Sequence, residues 1–299
     1  MIRRRRDAGL AYAMLLPSFA VLAIFVLYPL GRAVWQGQQR CNPQGQCRSN
    51  GWDQYVDAFR STEFHHAMAV TVKYALLTVP SGLILGIGLA VLADRYVRGI
   101  GIFRTIFSST VATSVAVAST MWLFLLQPSR GIFSNIGWLG DLFGVIKTPG
   151  LLADPGTALT AVAVSSTWAN LGFTFVVVTA GLQGIPRDLY ESAFVDGASG
   201  WTRFTNVTLP MLGPTLMFTT VVLTTRAFQA YGEIDLLTKG GPAPHGSTTT
   251  LTYLIYGESS IIRNNPGLQA TVAVLVFVVL LILSALQLRG LGKRVHYGN

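Results

Sequence analysis

The chain has 299 residues, 51% of them hydrophobic and only 12% charged, about half the charged share of an ordinary soluble domain. Its 22 Lys plus Arg and 13 Asp plus Glu could not cover a soluble surface of this size, so the bilayer is the better solvent. The formal charge of +9 gathers at the edges of apolar runs rather than in a basic and aromatic groove, which excludes a nucleic-acid binder and fits residues that set membrane orientation.

A membrane-spanning helix needs about 20 predominantly apolar residues. Six stretches free of Asp, Glu, Lys and Arg qualify: 8–31, 74–93, 105–129, 155–186, 204–225 and 264–288. The predicted fold is therefore an all-α integral membrane bundle of six transmembrane helices, a single domain over 1–299. Arg3 to Arg6 precede the first stretch like the start of a secretion signal. The apolar run is too long for a signal core and no small-residue cleavage site follows, so it reads as an uncleaved first span.

The loop 31–66 holds the two cysteines, Cys41 and Cys47, around a polar turn. Outside the cytoplasm they could form a local disulfide; two free thiols are the alternative. His65 and His66 lack the spacing of a zinc site, and no metal site is expected. Lys73 reads as an interfacial anchor. The third and fourth stretches carry many hydroxyls and amides, among them Ser108, Thr110, Ser114, Ser119, Ser165, Ser166, Thr167 and Asn170. Such helices pack inside a bundle or line a wet path.

Between the fourth and fifth stretches lies 185–210. Pro186 suits a first helical turn, with Asp188 and Glu191 near the positive end of the helix dipole. Asp196-Gly197 signals a turn, and a second short helix leads to Pro210, which is predicted to open span five. Arg226 lies about 24 Å along a helix from Pro210, past the bilayer middle. A permanent cation there faces water, pairs with Glu233 or snorkels; facing water, it suits a phosphate-bearing solute.

Orientation follows from the positive charges. Segments 1–8, 94–104, 185–210 and 289–299 hold 12 Lys and Arg, whereas the longer segments 31–66, 127–156 and 233–267 hold 8. Both termini are therefore expected in the cytoplasm, with 31–66 and 233–267 outside. No phosphate-binding loop, nucleophile elbow or paired intramembrane carboxylates are present in the sequence. The chain is expected to have no catalytic site, so any uphill movement must draw energy from a partner or an ion gradient, and a gradient would favour a carboxylate among the spans, which the six stretches lack.

Glu191-x-Ala193-x3-Gly197-x9-Val207-x-Leu209-Pro210 resembles the EAA loop of ABC importer permeases, with Ser192 in place of the first Ala and Val207 for the usual Ile. The loop 238–256, with Gly240-Gly241-Pro242, Thr248-Thr249-Thr250-Leu251 and Tyr253, resembles the outside loop of sugar-type (MalF-like) permeases. Gly51 to Phe59 resembles their first-loop pattern, with Gln54 in the Asn place. Gln127 to Ile132 adds a finer likeness to the permeases of glycerol-3-phosphate and glycerophosphodiester importers, from which Ala243 to Gly246 and the Cys41–Cys47 loop depart.

The resemblance implies a type I importer permease fold in a bacterial inner membrane, forming half of a translocation pathway with a second, homologous permease subunit. It implies an extracytoplasmic solute-binding protein and a cytoplasmic ATPase dimer that binds ATP and Mg; this chain itself would bind no cofactor. Glu191, Ala193, Asp196, Gly197, Val207, Leu209 and Pro210 would meet the ATPase, and Gly240, Gly241, Pro242 and Tyr253 join Arg226 as candidate pathway residues. The alternatives are a disaccharide importer, a non-transporting scaffold, and a gradient-driven carrier, which would need an intramembrane carboxylate.

Overall fold

In the computed structural model the first helix is one long rod: α1 (Ile2–Leu22), a π-turn at Ala23–Leu27 and α2 (Tyr28–Gln36) follow without a gap. Pro29 has no N–H to give, and the helix widens just ahead of it, where the Tyr28 N–H bonds Ala23 O. Apolar side chains such as Leu16, Phe19 and Phe25 stand exposed along this rod, as a lipid-facing helix requires. The structure describes residues 2–41, 46–94, 98–127, 150–242, 246–258 and 262–292.

A hairpin of β1 (Gln39–Cys41) and β2 (Cys47–Ser49) follows, antiparallel, with Cys41 opposite Cys47. The two cysteines are joined by a disulfide, S–S 2.03 Å. Next come α3 (Asp53–Arg60) and α4 (Thr62–Ala93), the latter capped by Ser61, whose hydroxyl accepts from Phe64 N. At 32 residues α4 is about 48 Å long, more than a bilayer core. It therefore begins well before the predicted stretch 74–93 and carries His65, His66 and Lys73. The hairpin is fastened to the last helix, α14 (Pro266–Gly292), through Gln54, whose Nε2 donates to Gln39 O at 3.0 Å and Thr271 Oγ1 at 3.2 Å.

The predicted third span, 105–129, is not one straight helix. It consists of α5 (Ile100–Ser109) with a 3₁₀ turn at Thr110–Ala112, then α6 (Val115–Leu126), bent by 105°. Thr113 and Ser114 are extended at the break. The hydroxyls that precede it take over carbonyls of the ending helix, Ser109 bonding Ile106 O at 2.7 Å and Thr110 bonding Phe107 O at 3.1 Å. Local side-chain to backbone bonds of this kind compete with helix continuation. Gln127 ends the described part of this region, and the motif residues 128–132 lie outside the described residues.

The fourth span, α7 (Ala158–Gln183), is the centre of the bundle. Its most apolar window is 61% buried, against at most 22% in the other continuous helices. Small residues let neighbours approach its backbone. A Cβ on Gly172 would lie 2.1 Å from Thr110 Oγ1 and 2.8 Å from Val111 N, and one on Gly86 of α4 would meet Thr174.

Beyond α7 come α8 (Arg187–Val195), α9 (Gly200–Arg203), a π-turn at Phe204–Thr208, α10 (Leu209–Met211) and α11 (Gly213–Phe228). The fifth span is bent too, by 67° between the α9–α10 arm and α11. Pro210 lies within the arm, three residues before α11 begins at Gly213. Pro214 cannot donate a helical bond, so the turn before it is where the chain changes direction. Short helices α12 (Gly232–Leu237) and α13 (Leu251–Tyr256) precede α14.

Four continuous helices and two bent pairs thus give up to six membrane crossings. Tyr74, Val162, Leu223, Ile234 and Tyr253 form one buried cluster, and Phe64, Phe228, Leu251 and Val272 a second. Ala93, Phe175, Leu182, Ile185 and Leu212 form a third towards the α8 end.

Candidate functional site

The break in the third span, the middle of α7 and the end of α11 enclose a cavity of about 480 Å³. Its wall includes Ser114, Val115, Ser119, Ser165, Ser166, Asn170, Phe173, Arg226, Gln229 and Glu233. Arg226 enters from the last turn of α11. Its Nη1 donates to Asn170 Oδ1 at 2.8 Å, and its guanidinium lies 4.4 Å from the centre of the Phe173 ring. The side chain is thus held in one pose while remaining exposed to the cavity. Because α6 starts at this wall, its first backbone N–H groups, which have no helical partner, add positive potential.

Glu233 contributes the opposite charge. The sequence places it at the start of an outside loop and as a partner for Arg226, yet among the described residues no ion pair joins the two. Its Oε1 accepts from Tyr74 Oη at 3.0 Å and from Ser166 Oγ at 3.4 Å, with Tyr74 Oη 2.5 Å from Ser166 Oγ. The carboxylate therefore reaches in among α4 and α7. The expectation that no carboxylate lies among the spans is corrected here, because the chain turns back at Gln229 and carries Glu233 inward.

The other loop candidates lie elsewhere. Gly241 and Pro242 line a separate groove of about 520 Å³ with Leu123, Leu152 and Lys239. Tyr253 is buried to 1% exposure, stacked 6.1 Å from Tyr231, and Gly240 fits against its ring. A network of threonines binds this loop: Thr238 to Thr248 at 2.6 Å, Thr249 to Gly240 O at 3.0 Å, Thr250 to Ala230 O at 2.9 Å. In this structure Gly240 and Tyr253 shape the loop and do not line the Arg226 cavity.

At the other end, α8 closes on Gly197, whose φ of +75° is the left-handed conformation open to glycine. The Gly197 N–H bonds Phe194 O and the Ala198 N–H bonds Ala193 O, both at 3.0 Å, which is a Schellman end. Ser199 caps α9 through Thr202 N. The two arms are clasped by Tyr190 Oη, 3.1 Å from Thr208 Oγ1, and by Arg203, 5.7 Å from the Phe194 ring centre. Glu191, Asp196, Leu209 and Pro210 are exposed, Ala193 and Val207 half-buried. Phe194, Val195 and Trp201 are 68%, 84% and 74% exposed.

Sequence reasoning missed Asn170 and Phe173 as the holders of Arg226, and Tyr74 and Ser166 as the holders of Glu233. The hydroxyl and amide content of the fourth stretch was the available signal; which helix each group faces needed the fold.

The family model for the binding-protein-dependent transport system inner membrane component matches residues 79–297. The sn-glycerol-3-phosphate transport system permease protein UgpA of Agrobacterium fabrum is 34% identical over 296 residues, 97% of each chain. The protein of the same name from Salmonella typhimurium is 33% identical over 294 residues, 98% of this chain and 97% of that one. A bacterial ABC transporter involved in the import of the acidic polysaccharide alginate has a chain of the same fold, with TM-score 0.79 at 24% identity, covering 97% of this chain and 98% of that one. The bent-span bundle and these relatives agree, and the chain belongs to the inner membrane permease components of binding-protein-dependent ABC transport systems.

Proposed function

We propose that this permease forms half of the translocation pathway of an ATP-driven importer for a phosphate-bearing glycerol solute, either glycerol-3-phosphate or a glycerophosphodiester. The observation that carries the reading is Arg226, fixed by Asn170 and Phe173 on the wall of a cavity between spans. A guanidinium presents a planar fork to phosphate oxygens. The names of the UgpA relatives support the same solute class.

The hook of α8 to α10 fits a cytoplasmic ATPase that would bind and hydrolyse ATP with Mg. Its exposed Phe194, Val195 and Trp201 offer an apolar face and Glu191 a charge. ATP-driven closure would push the hook, and α11 with its bend would carry the motion to Arg226. A second permease subunit would complete the pathway, and a solute-binding protein would dock outside, on the side of 31–66 and 233–267. Segment 185–210 and both termini would then be cytoplasmic.

The test is uptake by the complex of this chain with its permease partner, ATPase and binding protein in proteoliposomes. Labelled glycerol-3-phosphate, a glycerophosphodiester and a disaccharide are compared. Accumulation of the disaccharide with neither phosphate compound would overturn the reading.

A further inference from the structure

The Gln36 end of the first span is fastened to α3 and α14 at one height. Tyr55 Oη of α3 donates to Val34 O, and Thr271 Oγ1 in the second turn of α14 donates to Gly37 O, both at 2.9 Å. Arg32 and Trp35 stand exposed near the end of α2, where the apolar run stops. They mark this height as a membrane interface, since Trp collects at such interfaces and Arg snorkels to them. On α3 and its cap, Trp52, Val56 and Phe59 are exposed along one edge, with Asp53, Asp57 and Arg60 exposed along the next. A helix with an apolar edge beside a charged one suits the plane of the lipid head groups.

At this height a cavity of about 330 Å³ lies between α3 and the start of α14, sharing no lining residue with the one that Arg226 lines. Leu254, Ile262, Leu268 and Val272 give it apolar walls, and Arg40, Asp57 and Glu63 give it charge. Among the described residues these three charges form no ion pair. Gln54 lines the cavity too and is only 4% exposed. Its Nε2 protons go to Gln39 O and Thr271 Oγ1, which fixes the orientation of the amide, and Oε1 has no hydrogen-bond partner among the described residues. A buried acceptor without a donor is costly, so the site calls for a ligand that brings N–H or O–H groups.

We infer that this cavity seats the head group of an aminophospholipid, one that ends in a primary ammonium. The ammonium gives its N–H groups to Gln54 Oε1 and to the carboxylates of Asp57 and Glu63, while Arg40 takes the lipid phosphate. The glycerol and upper acyl carbons rest on Leu268 and Val272. Arg40, Asp57 and Glu63 sum to one negative charge, which suits a zwitterionic lipid and opposes an anionic one. A choline head group has no N–H for Gln54 and fits less well.

The test places the complex of this chain with its permease partner and ATPase in nanodiscs of phosphatidylethanolamine, phosphatidylcholine or phosphatidylglycerol. Each carries the same trace of phosphatidylethanolamine with a photoreactive acyl chain, and crosslinked peptides are mapped by mass spectrometry. Labelling should concentrate on 50–63 and 262–272. It should be about tenfold lower in the phosphatidylethanolamine discs, where the matrix competes, the worth of one charge-assisted hydrogen bond. Asp57→Asn combined with Glu63→Gln removes charge and keeps shape, and should lower the labelling about fivefold, as exposed charge pairs are worth. If the double variant does not assemble, Asp57→Asn alone, on the exposed edge of α3, makes the same comparison. Labelling spread evenly over the lipid-facing helices, equal labelling in the three matrices, or native labelling in the variant overturns the inference. So does a crosslink map, with the solute-binding protein added, in which that protein and not the lipid reaches 50–63 and 262–272.

Discussion

Arg226 Nη1 and Asn170 Oδ1, on α11 and α7, are 2.8 Å apart, and this bond decides what the cation does. A snorkelling arginine would extend along its own helix to the interface. Here the side chain crosses to the neighbouring span, against Phe173, and presents its remaining N–H groups to the cavity.

Transport of a phosphate solute should therefore fall in the order Arg226, Arg226→Lys, Arg226→Gln. Lysine keeps the charge without the fork and glutamine loses both. The Gln variant should lose about ten- to a hundredfold in apparent affinity, corresponding to 1.5 to 3 kcal/mol for a charge-assisted bond. Uptake in vesicles carrying equal amounts of complex is the measurement, and unchanged affinity in the Gln variant would remove Arg226 from the site.

Gly197→Pro should uncouple the hook without expelling the chain from the membrane. Proline cannot adopt the φ of +75° and has no N–H for Phe194 O. Glu191→Lys reverses an exposed charge, and like-charge contacts at an interface cost several kcal/mol. Both variants should assemble yet show reduced solute-stimulated ATP hydrolysis; full stimulation in both would dissociate the hook from the ATPase.

Close packing at Gly172 makes a stability prediction. A Cβ there meets Thr110 Oγ1 and, less yieldingly, the backbone N of Val111. Overpacking costs about 1 to 3 kcal/mol, so Gly172→Val should lower the melting temperature of the solubilised protein and the amount recovered from membranes. Pairing it with Thr110→Ser, which keeps the hydroxyl, should recover little, because Val111 N stays in place.

Cys41 and Cys47 close a small loop outside the bundle core. Replacing both by Ser should leave insertion intact and weaken only the hairpin, by about 2 kcal/mol in the chain-entropy model. Limited proteolysis of the hairpin with and without reductant is the readout, and equal cleavage rates would show that Gln54 and Thr271 alone fasten the hairpin to α14.

Tags at either terminus should be shielded in intact cells and reached only after permeabilisation. Labelling of one terminus from outside would reverse the assigned orientation of the hook.

Much of this was open to reading along the chain. Uncharged stretches marked the four continuous apolar helices and the two bent pairs because the cost of a charge in hydrocarbon is local to the residue that bears it. The hook was readable because Pro186, Gly197 and Pro210 act on the backbone at their own positions. What the sequence could not decide were the angles and the partners. The bend of the third span goes with the carbonyls that Ser109 and Thr110 take over and that of the fifth with the turn before Pro214, while close contact with α7 needs the missing side chains of Gly172 and, on α4, Gly86. Glu233 lies near Arg226 in the chain, and a one-dimensional reading pairs them. The tertiary structure instead gives Arg226 to Asn170 and Glu233 to Tyr74 and Ser166, because hydrogen bonds between side chains are set by which helices pack together, and that packing is a property of the whole bundle.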